Sequence, residues 1–326
     1  MNTIRRASTA RAAFALALCA LAPAAASAAN YPDKPIQIIV PYSAGGSTDL
    51  VFRVLAQSMS KDLGQSIIII NQPGGAGAIG ISQVVKAAPD GYTFGAATLS
   101  FAANKFYLKT KLPYDPQTDL EAVTMATRSP EVLTVGKNVP AHSVEQLIEL
   151  SKHKNGGINF ASSGVASDGE LGAELFASMS GTKITVIPYG STGAVPAIVS
   201  GQVQALFGPI PSSLPFVKSG DLVALGVTSP GDDPSLPHVA PIAKTVRGLE
   251  LYSFQGLVAP KGTPKEILER VQAAVKKSLS DPNVKATLAR MGAEPVGDTP
   301  DQFAAFLKGQ FALWARVASK FQATVQ

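Results

Sequence analysis

The sequence is poor in the residues that most often carry metal or redox chemistry, with one cysteine and three histidines among 326 residues. The cysteine, Cys19, lies inside an N-terminal apolar run. Leu18 precedes it and disfavours a lipid anchor, which prefers a small residue at that position. Removal of the run would leave a chain without thiols. A disulfide, a cysteine nucleophile and a cysteine metal site would then all be excluded.

Long hydrophobic runs are lacking as well. The N-terminal run, residues 12–22, is shorter than the roughly 20 apolar residues that a bilayer span needs, and no later stretch is longer. It follows Arg5, Arg6 and Arg11 and precedes a small-x-small site at residues 26–28. This pattern predicts a secretory signal peptide over residues 1–28 and export to the periplasm. The three arginines disfavour the alternative, an N-terminal core helix.

An excess of one charge is also missing. The chain has 28 Lys+Arg and 23 Asp+Glu, and the predicted signal peptide contains three arginines and no acid. The mature balance is therefore 25 − 23 = +2. Without a basic run or stripe, nucleic-acid binding has no electrostatic support.

The common hydrolase and metal-site patterns are absent from the sequence. No Gly-x-Ser-x-Gly elbow occurs, and no His, Asp or Glu cluster has the spacing of metal ligands. His142 and His153 flank a predicted surface helix, and His238 lies in a proline-rich loop. Isolated surface histidines are the simplest interpretation, and we expect no cofactor and no enzymatic activity.

The full chain is 46% hydrophobic, and the roughly 300 residues that follow the predicted signal peptide are enough for one large or two medium α/β domains. Strands are predicted at Ile36–Val40, 66–70 and 92–98, with helices at Ser47–Leu63 and 79–88 between them. Because 66–70 contains four consecutive isoleucines, it is predicted to be buried on both faces of a parallel sheet. No internal repeat is evident.

A second alternating series follows, and then a helical tail. The second series has predicted strands at 132–135, 158–161, 183–189, 203–207 and 222–228, and helices beginning at residues 143, 168, 194 and 211. Helices are predicted at 264–279 and 299–321 in the tail. This order predicts mostly parallel, doubly wound sheets. We expect the tail to return to the first domain through 252–259, which gives two chain crossings and a hinged cleft.

Three loops between a strand and a helix are rich in small and hydroxyl residues. They are residues 41–49, 162–168 and 189–193. Such loops lie at the carboxyl ends of strands, where free N–H groups of the next helix and its dipole favour an anion. Each loop alone is also explained by the Gly and Ser content of ordinary turns. Their equivalent positions in two domains indicate two jaws around one anion.

Residues 75–80, Gly-Ala-Gly-Ala-Ile-Gly, match the dinucleotide-binding fingerprint. The motif follows the second predicted strand instead of the first, however, and Asp90 comes too early for the acid that contacts the ribose. We therefore interpret these glycines as residues of close helix–strand packing.

Several sequence blocks resemble those of one family. They are Tyr31-Pro32-Asp33-Lys34-Pro35-Ile36, Val40-Pro41-Tyr42, Ala44-Gly45-Gly46, Thr48-Asp49, Asn71-Gln72-Pro73-Gly74-Gly75-Ala76-Gly77, Ala88-Pro89-Asp90-Gly91-Tyr92-Thr93, Leu112-Pro113-Tyr114-Asp115-Pro116, Pro188-Tyr189-Gly190, Ser200-Gly201-Gln202-Val203 and Ala259-Pro260-Lys261-Gly262-Thr263-Pro264. Together they resemble Bug-type receptors, the extracytoplasmic solute-binding components of tripartite tricarboxylate transporters, over essentially the whole mature chain.

The resemblance implies a two-lobed Venus-flytrap fold. Lobe 1 would comprise residues 29–126 and 250–326, and lobe 2 would be an insertion at 127–249. It also implies that both lobes pinch a ligand carboxylate, largely through backbone N–H and hydroxyl groups. By position in the motifs, the implied ligand-binding residues are Tyr42, Ala44, Gly46, Ser47 and Asp49 in one jaw, Ser163, Gly164 and Ser167 in the other, and Thr98 and Tyr189 along the cleft.

Two departures from the family pattern bear on specificity. Glu170 stands where such receptors often have histidine, and Gly208 stands where an aspartate is frequent. A carboxylate at the pocket would repel a second ligand carboxylate. This favours a ligand with one carboxylate and a neutral or cationic far end. The alternative is that Glu170 points to solvent and changes nothing.

The implied function is capture of a small organic carboxylate by a monomeric receptor that delivers it to a membrane permease. Two alternatives stay open at this point. One is a sensor that presents the ligand to a membrane sensor kinase, and the other is an exported enzyme on the same fold, which the missing nucleophile–base set disfavours.

Overall fold

The computed structural model describes residues 31–322, apart from 109, 154–155 and 191–192. The predicted signal peptide lies outside the described residues, as do Ser191 and Thr192 of the third predicted loop. Among the described residues, no helix combines the length and the apolar character that a membrane crossing requires.

The first half of the fold alternates strands and helices as predicted. Its elements are β1 (Ile36–Val40), α1 (Ser47–Leu63), β2 (Ile67–Asn71), α2 (Ala78–Val85), β3 (Thr93–Ala97) and α3 (Leu99–Tyr107). β1 lies between β2 and β3 and is parallel to both. The isoleucine run of β2 was predicted to be buried on both faces, and that prediction is wrong: β2 is an edge strand, and Ile68 is 44% exposed.

The second half begins with a long strand and continues the alternation. Its elements are β4 (Leu120–Gly136), α4 (Val144–His153), β5 (Ile158–Ser162), α5 (Asp168–Ser180), β6 (Ile184–Pro188), α6 (Ala194–Val199), β7 (Ala205–Pro209), α7 (Ile210–Ser219) and β8 (Leu222–Val227). β5 pairs in parallel with β6 and β7, whereas β7 and β8 are antiparallel to β4.

The C-terminal tail packs back on the first half, as expected. It contains β9 (Tyr252–Pro260), α8 (Lys265–Ser280), α9 (Pro282–Arg290), β10 (Glu294–Pro295) and α10 (Pro300–Gln322). β9 lies between β3 and β4 and is antiparallel to both. The buried side chains of α8 share a core with those of α1 and β1, and α10 packs against α3 and β4.

The strand β4 joins the two lobes of the fold. The strand order is β2-β1-β3-β9-β4-β7-β5-β6, with β8 and β10 also paired to β4. Residues 120–130 of β4 pair with β9, whereas residues 131–136 pair with β7 and β8. Sheet partners therefore change between Pro130 and Glu131. The lobe boundaries given above, 126/127 and 249/250, stay a prediction.

Thr228 joins the outgoing and returning chain at this crossing. Its Oγ1 accepts a hydrogen bond from the Glu131 N–H at 2.8 Å and donates one to the Leu251 carbonyl at 2.6 Å. Its own N–H donates to the Glu131 carbonyl at 2.9 Å. Since Thr228 is completely buried, these bonds are shielded from water and fix the two crossings to each other.

The sheets are mixed, which differs from the mostly parallel arrangement predicted. The difference comes from the strands β4 and β9, which are antiparallel to each other. Neither strand was predicted in full. The first part of β4 and the helix α3 lack the alternating pattern that sequence reasoning uses. Residues 99–104 of α3, for example, are all buried.

Candidate functional site

A cavity of about 390 Å³ lies where the predicted first and second loops face each other, beside β9. Its walls come from the carboxyl ends of the parallel strands β1, β3 and β5, the usual ligand position in α/β sheets. The lining residues are Tyr42, Gly46, Ser47, Thr48, Ala76, Thr98, Ser100, Ser163, Gly164, Val165, Ala166, Ser167, Asp168, Ser253 and Gln255.

The helix α1 presents its N-terminus to the cavity. Gly46 is its N-cap in an extended conformation, and no side chain caps the first turn. The first bond of the helix runs from the Leu50 N–H to the Gly46 carbonyl, at 3.0 Å. Because the preceding N–H groups have no partner within the helix, they and the helix dipole favour an anion at Ser47 and Thr48.

A second helix, α3, has the same construction. Thr98 is its N-cap, and no side-chain acceptor caps its first turn either. The Thr98 Oγ1 and the Tyr42 hydroxyl are 2.5 Å apart, so one hydrogen bond ties the two lining residues together. Two uncapped helix N-termini therefore converge on one side of the cavity.

The helix α5, on the opposite wall, is capped by its own sequence. Ser167 is the N-cap, and its Oγ accepts from the Glu170 N–H at 3.3 Å. The Glu170 carboxylate turns back and accepts from the Ala166 N–H at 2.5 Å. This is a variant of the capping box, in which a Ser at the N-cap and a Glu three residues later satisfy each other's N–H groups.

Glu170 therefore lies behind the loop and is not among the cavity-lining residues. Burial raises the pKa of Glu170, although hydrogen bonds from the Ala166 N–H and the Tyr107 hydroxyl oppose that shift. Neither predicted position, at the ligand or in solvent, describes it. The sequence signal for this role is the Ser-x-x-Glu pattern at residues 167–170, which is typical of a capping box.

One turn further along α5, Glu174 gives a testable pH dependence. Its Oε2 is buried and accepts no hydrogen bond from the described residues. Burial, followed by the charge of Glu170, raises the pKa of Glu174 from its ordinary 4.5 to about 7. The folded chain thus holds this proton more tightly than the unfolded chain. Its stabilising contribution is complete below about pH 4.5 and is lost as the pH rises to about 7.

We expect the Glu174→Gln variant, which cannot ionise, to gain stability over the natural chain as the pH rises. The free energy of unfolding is measured with urea at pH 4.5 and pH 8. Above pH 7 that of the variant should exceed that of the natural chain by up to about 3 kcal/mol, where the difference levels off. Glu250→Gln, at an exposed position, is the control. Its free energy of unfolding should stay within about 0.5 kcal/mol of that of the natural chain at both pH values. A Glu174→Gln difference that did not grow with pH would contradict the expectation.

Asp49 supports the first loop and does not line the cavity. Its carboxylate accepts from the Gly45 N–H, from Arg53 Nε and from Asn71 Nδ2, each at 2.9–3.0 Å. Burial acts to raise the pKa of Asp49, but these hydrogen bonds and the charge of Arg53 outweigh it and hold the pKa below its usual value. The loop 41–46 is therefore fixed in place by a buried carboxylate.

Seven of the twelve predicted site residues line the cavity. They are Tyr42, Gly46, Ser47, Thr98, Ser163, Gly164 and Ser167. The other five do not, and each has a different surrounding. Asp49 and Glu170 have the supporting roles given above, and Ala44 is exposed on the loop. Tyr189 packs in a separate apolar cluster with its N–H bonded to the Ser162 carbonyl, and Gly208 faces Leu206 and Ser213.

Two further lining residues are alanines with positive φ, and of these only Ala166 lies in a predicted loop. Ala76 has φ 52° and Ala166 has φ 55°. Asn104 Nδ2 donates to the Ala76 carbonyl at 2.8 Å, and Ser100 Oγ donates to the Ala166 carbonyl at 2.6 Å. The surrounding hydrogen bonds hold these unfavourable conformations, as is common where backbone faces a ligand.

Ser253 and Gln255 were missed because they belong to β9, which was predicted only as a connection. Ala76 was missed because its glycine-rich motif was interpreted as packing. For Gly80 that interpretation is confirmed: a Cβ there would lie 2.9 Å from the Gln72 carbonyl oxygen and from the Pro41 Cβ.

The bond from Ser100 to Ala166 also links the two walls of the cavity. Ser100 follows β3 on one side and Ala166 follows β5 on the other, and the bond is buried. The walls are therefore in direct contact beside the cavity.

The cavity lining contains hydroxyl and amide groups and one charged residue, Asp168. Burial raises the pKa of Asp168, and a hydrogen bond with Ser253 opposes the shift. Within the described part of the chain, no group of three or more His, Cys, Asp or Glu residues has the arrangement of a metal site. The cavity therefore presents N–H and O–H donors, which suit an anion, together with one acidic residue.

The chain is similar to a family of receptors. Residues 51–322 match the family model described as the tripartite tricarboxylate transporter family receptor. Among curated proteins, it is 35% identical over 294 residues to BugT of Bordetella pertussis, and the match covers 89% of this chain and 90% of BugT.

Solved structures with the same architecture include two that exceed 30% identity. One is a protein described as a periplasmic transporter, 36% identical with a TM-score of 0.77, matched over 89% of this chain and 98% of that chain. Another is a protein of R. palustris solved with adipate, 34% identical with a TM-score of 0.76, matched over 89% and 97%.

Proposed function

Since this chain belongs to the tripartite tricarboxylate transporter receptors and is of the Bug type, we propose that it is a periplasmic solute-binding protein. It captures a small carboxylate-containing solute between its lobes and delivers it to the membrane permease of a tripartite tricarboxylate transporter. The solute is released unchanged. The adipate bound by the R. palustris relative supports the carboxylate class.

The observation that carries the proposal is the pair of uncapped helix N-termini at the cavity. α1 and α3 direct unpaired N–H groups and positive dipole ends toward the same space. No lysine, arginine or histidine is among the described lining residues, so backbone and hydroxyl donors would hold the carboxylate. The volume lies in the lower part of the range of roughly 300–1,000 Å³ typical of ligand sites.

Ligand capture would be coupled to closure of the lobes. We assign lobe 1 to residues 29–126 and 250–326, and lobe 2 to residues 127–249. Because α1 and α3 belong to one lobe and α5 to the other, a ligand that contacts both sides stabilises the closed form selectively. The permease would then distinguish the loaded receptor by its closed shape.

The proposal is tested with the purified mature chain, residues 29–326, in a thermal-shift screen of small carboxylates, each paired with its neutral amide. At a ligand concentration about 100 times Kd, selective binding adds about 2.7 kcal/mol of stability. We expect a concentration-dependent rise in Tm for at least one carboxylate and none for its amide. Equal shifts for acid and amide, or no shift with any acid from a ligand-free preparation, would contradict carboxylate capture.

Delivery is tested separately by uptake of the identified carboxylate in cells that contain the permease. Uptake should require the receptor gene, and uptake that is unchanged without it would contradict the transport role.

A further inference from the structure

A second cavity lies beside the candidate site and has a volume of about 540 Å³. Its walls come from the turn before α2, from residues 110–113 and from the loop before α5. Two residues, Ala76 and Val165, line both this second cavity and the first cavity, which is the candidate site. The two cavities are therefore adjacent, and they meet at Ala76 and Val165.

The helix α3 holds the main chain on both sides of this boundary. Ser100 Oγ donates to the Ala166 carbonyl, and Asn104 Nδ2 donates to the Ala76 carbonyl. Since Ser100 and Asn104 lie four residues apart on one face of α3, the turn at Ala76 and the loop at Ala166 are fixed next to each other. Val165 precedes Ala166, so its main chain is tied to the same helix.

The second cavity differs from the first in its chemistry, because most of its wall is apolar. Beyond the boundary, its apolar lining residues are Ala78, Leu108, Leu112 and Pro113. Ala78 and Leu112 are partly buried and pack against the large hydrophobic core. Thr110 and Lys111, its polar lining residues, are exposed to solvent. The two cavities together thus lead from hydroxyl and N–H donors to an apolar wall.

Val165 leaves much of its apolar surface uncovered at the boundary, since it is 64% exposed. A single exposed hydrophobic residue is ordinary, but Val165 shares the second cavity with apolar residues such as Leu112. Burial of apolar surface is favourable in proportion to its area. An apolar group that crosses the boundary would therefore be stabilised because it covers both Val165 and the wall beyond it.

From this arrangement we infer that the second cavity receives the apolar chain of a ligand whose carboxylate binds at the N-termini of α1 and α3. The ligand class is then a monocarboxylate with an apolar chain that crosses the boundary between Ala76 and Val165. A ligand is the occupant because the apolar wall adjoins the first cavity through these two shared residues. The inference rests on the proposed function and specifies its substrate class.

The dependence of affinity on chain length tests the inference. Isothermal titration of the mature chain is carried out with unbranched monocarboxylates from ethanoate to decanoate. Each methylene that enters the second cavity should tighten binding by up to about fourfold, which corresponds to about 0.8 kcal/mol for a buried CH₂ group. Octanoate should therefore bind at least about 30-fold more tightly than butanoate.

Two further probes keep the eight-carbon chain and change one end. Octanedioate has a second carboxylate at the far end, and it should bind at least about 10-fold more weakly than octanoate, because an apolar wall does not compensate the desolvation of a charge. Octanamide lacks the carboxylate charge. It should bind at least about 30-fold more weakly than octanoate, because it loses the charge-assisted hydrogen bonds at the helix N-termini.

Two variants change only the second cavity. Leu112→Asn makes its wall polar with little change of size. Ala78→Asp places an acid at the first residue of α2, where the helix dipole favours it, so the fold is kept. Each variant should reduce the ratio of octanoate to butanoate affinity at least about fivefold, because the chain would then meet polar or charged groups. Butanoate affinity should stay within about threefold, since neither residue lines the first cavity.

Ile68→Asn is the matched control. It makes the same kind of change at an exposed residue of the edge strand β2, which lines neither cavity. It should keep the full ratio of octanoate to butanoate affinity. If Leu112→Asn fails to fold, Ala78→Asp decides the result.

The outcomes separate this inference from the proposed function. If affinity does not rise beyond butanoate, or rises equally in Leu112→Asn and Ala78→Asp, the second cavity does not hold the chain, and the receptor proposal stands. Tighter binding of octanedioate than of octanoate would overturn the inference as well, because the far end would then be an anion near Lys111. If no carboxylate of any length binds, the proposed function fails, and the inference fails with it.

Discussion

A Ser47→Asp variant should lose carboxylate affinity on the order of 100-fold or more while its fold keeps or gains stability. Ser47 is exposed at the first position of α1 and lines the cavity. A negative side chain there stabilises the helix by about 0.3–1 kcal/mol through the helix dipole. The same charge would lie within a few ångströms of the ligand carboxylate, where repulsion is worth about 4 kcal/mol at 4 Å in partly buried surroundings.

The variant should lose ligand affinity while it keeps or gains stability. This contrast separates charge repulsion at the site from damage to the fold. Kd is measured by titration with the carboxylate that the screen identifies, and Tm is measured without ligand. The neutral Ser47→Asn control should bind within about threefold of the natural chain. Comparable losses in both variants would indicate that the shape of the side chain and not its charge is responsible. Unchanged affinity in Ser47→Asp would place the carboxylate elsewhere.

A Phe303→Ala variant should unfold about 10 °C below the natural chain, because it removes a completely buried ring from α10. Phe303 packs on the backbone of Gly256 in β9, and its ring lies 6.1 Å from that of Phe254. Deletion of such a ring costs about 3–5 kcal/mol, and each kcal/mol lowers Tm by about 2–4 °C in domains of 150–250 residues.

The effect would show that α10 contributes to the core around β9 and is not an independent terminal helix. Lys308→Ala, on the exposed face of the same helix, is the control and should change stability by less than about 0.5 kcal/mol. Thermal and urea unfolding, followed by circular dichroism, give both quantities. A Phe303→Ala loss below about 1 kcal/mol would mean that the contact of α10 with β9 contributes little to the fold.

The alternating order of strands and helices could be predicted because each element carries its own periodic pattern. The helices α1 and α8 show their apolar residues three and four positions apart, and β1 is a short β-branched run, so local sequence is sufficient. The strands β4 and β9 could not be predicted in full. Their antiparallel partners lie far away in the sequence, and pairing between them depends on the hinge.

The parts of the candidate site that consist of backbone groups could be predicted from the sequence. Small residues between a strand and a helix predict an exposed helix N-terminus at the edge of a sheet, and the loops at Gly46 and Ser163 do line the cavity. The roles of single acids were not predictable. Asp49, Glu170 and Asp168 all stand in the first turn of a helix, yet Asp49 braces a loop, Glu170 caps its own helix, and Asp168 lines the cavity.

The sequence by itself determined the α/β class, the two alternating series, the family and the donor-rich loops, because these depend on local periodicity and on short motifs. Only the tertiary structure decided which side chains meet in the cavity. Ser100 and Ser163 are 63 residues apart in the sequence, and Ser253 lies a further 90 residues on, yet all three line the cavity. They become neighbours because β4 and β9 pair in one particular register at the crossing between the lobes, and register is a property of packed strands.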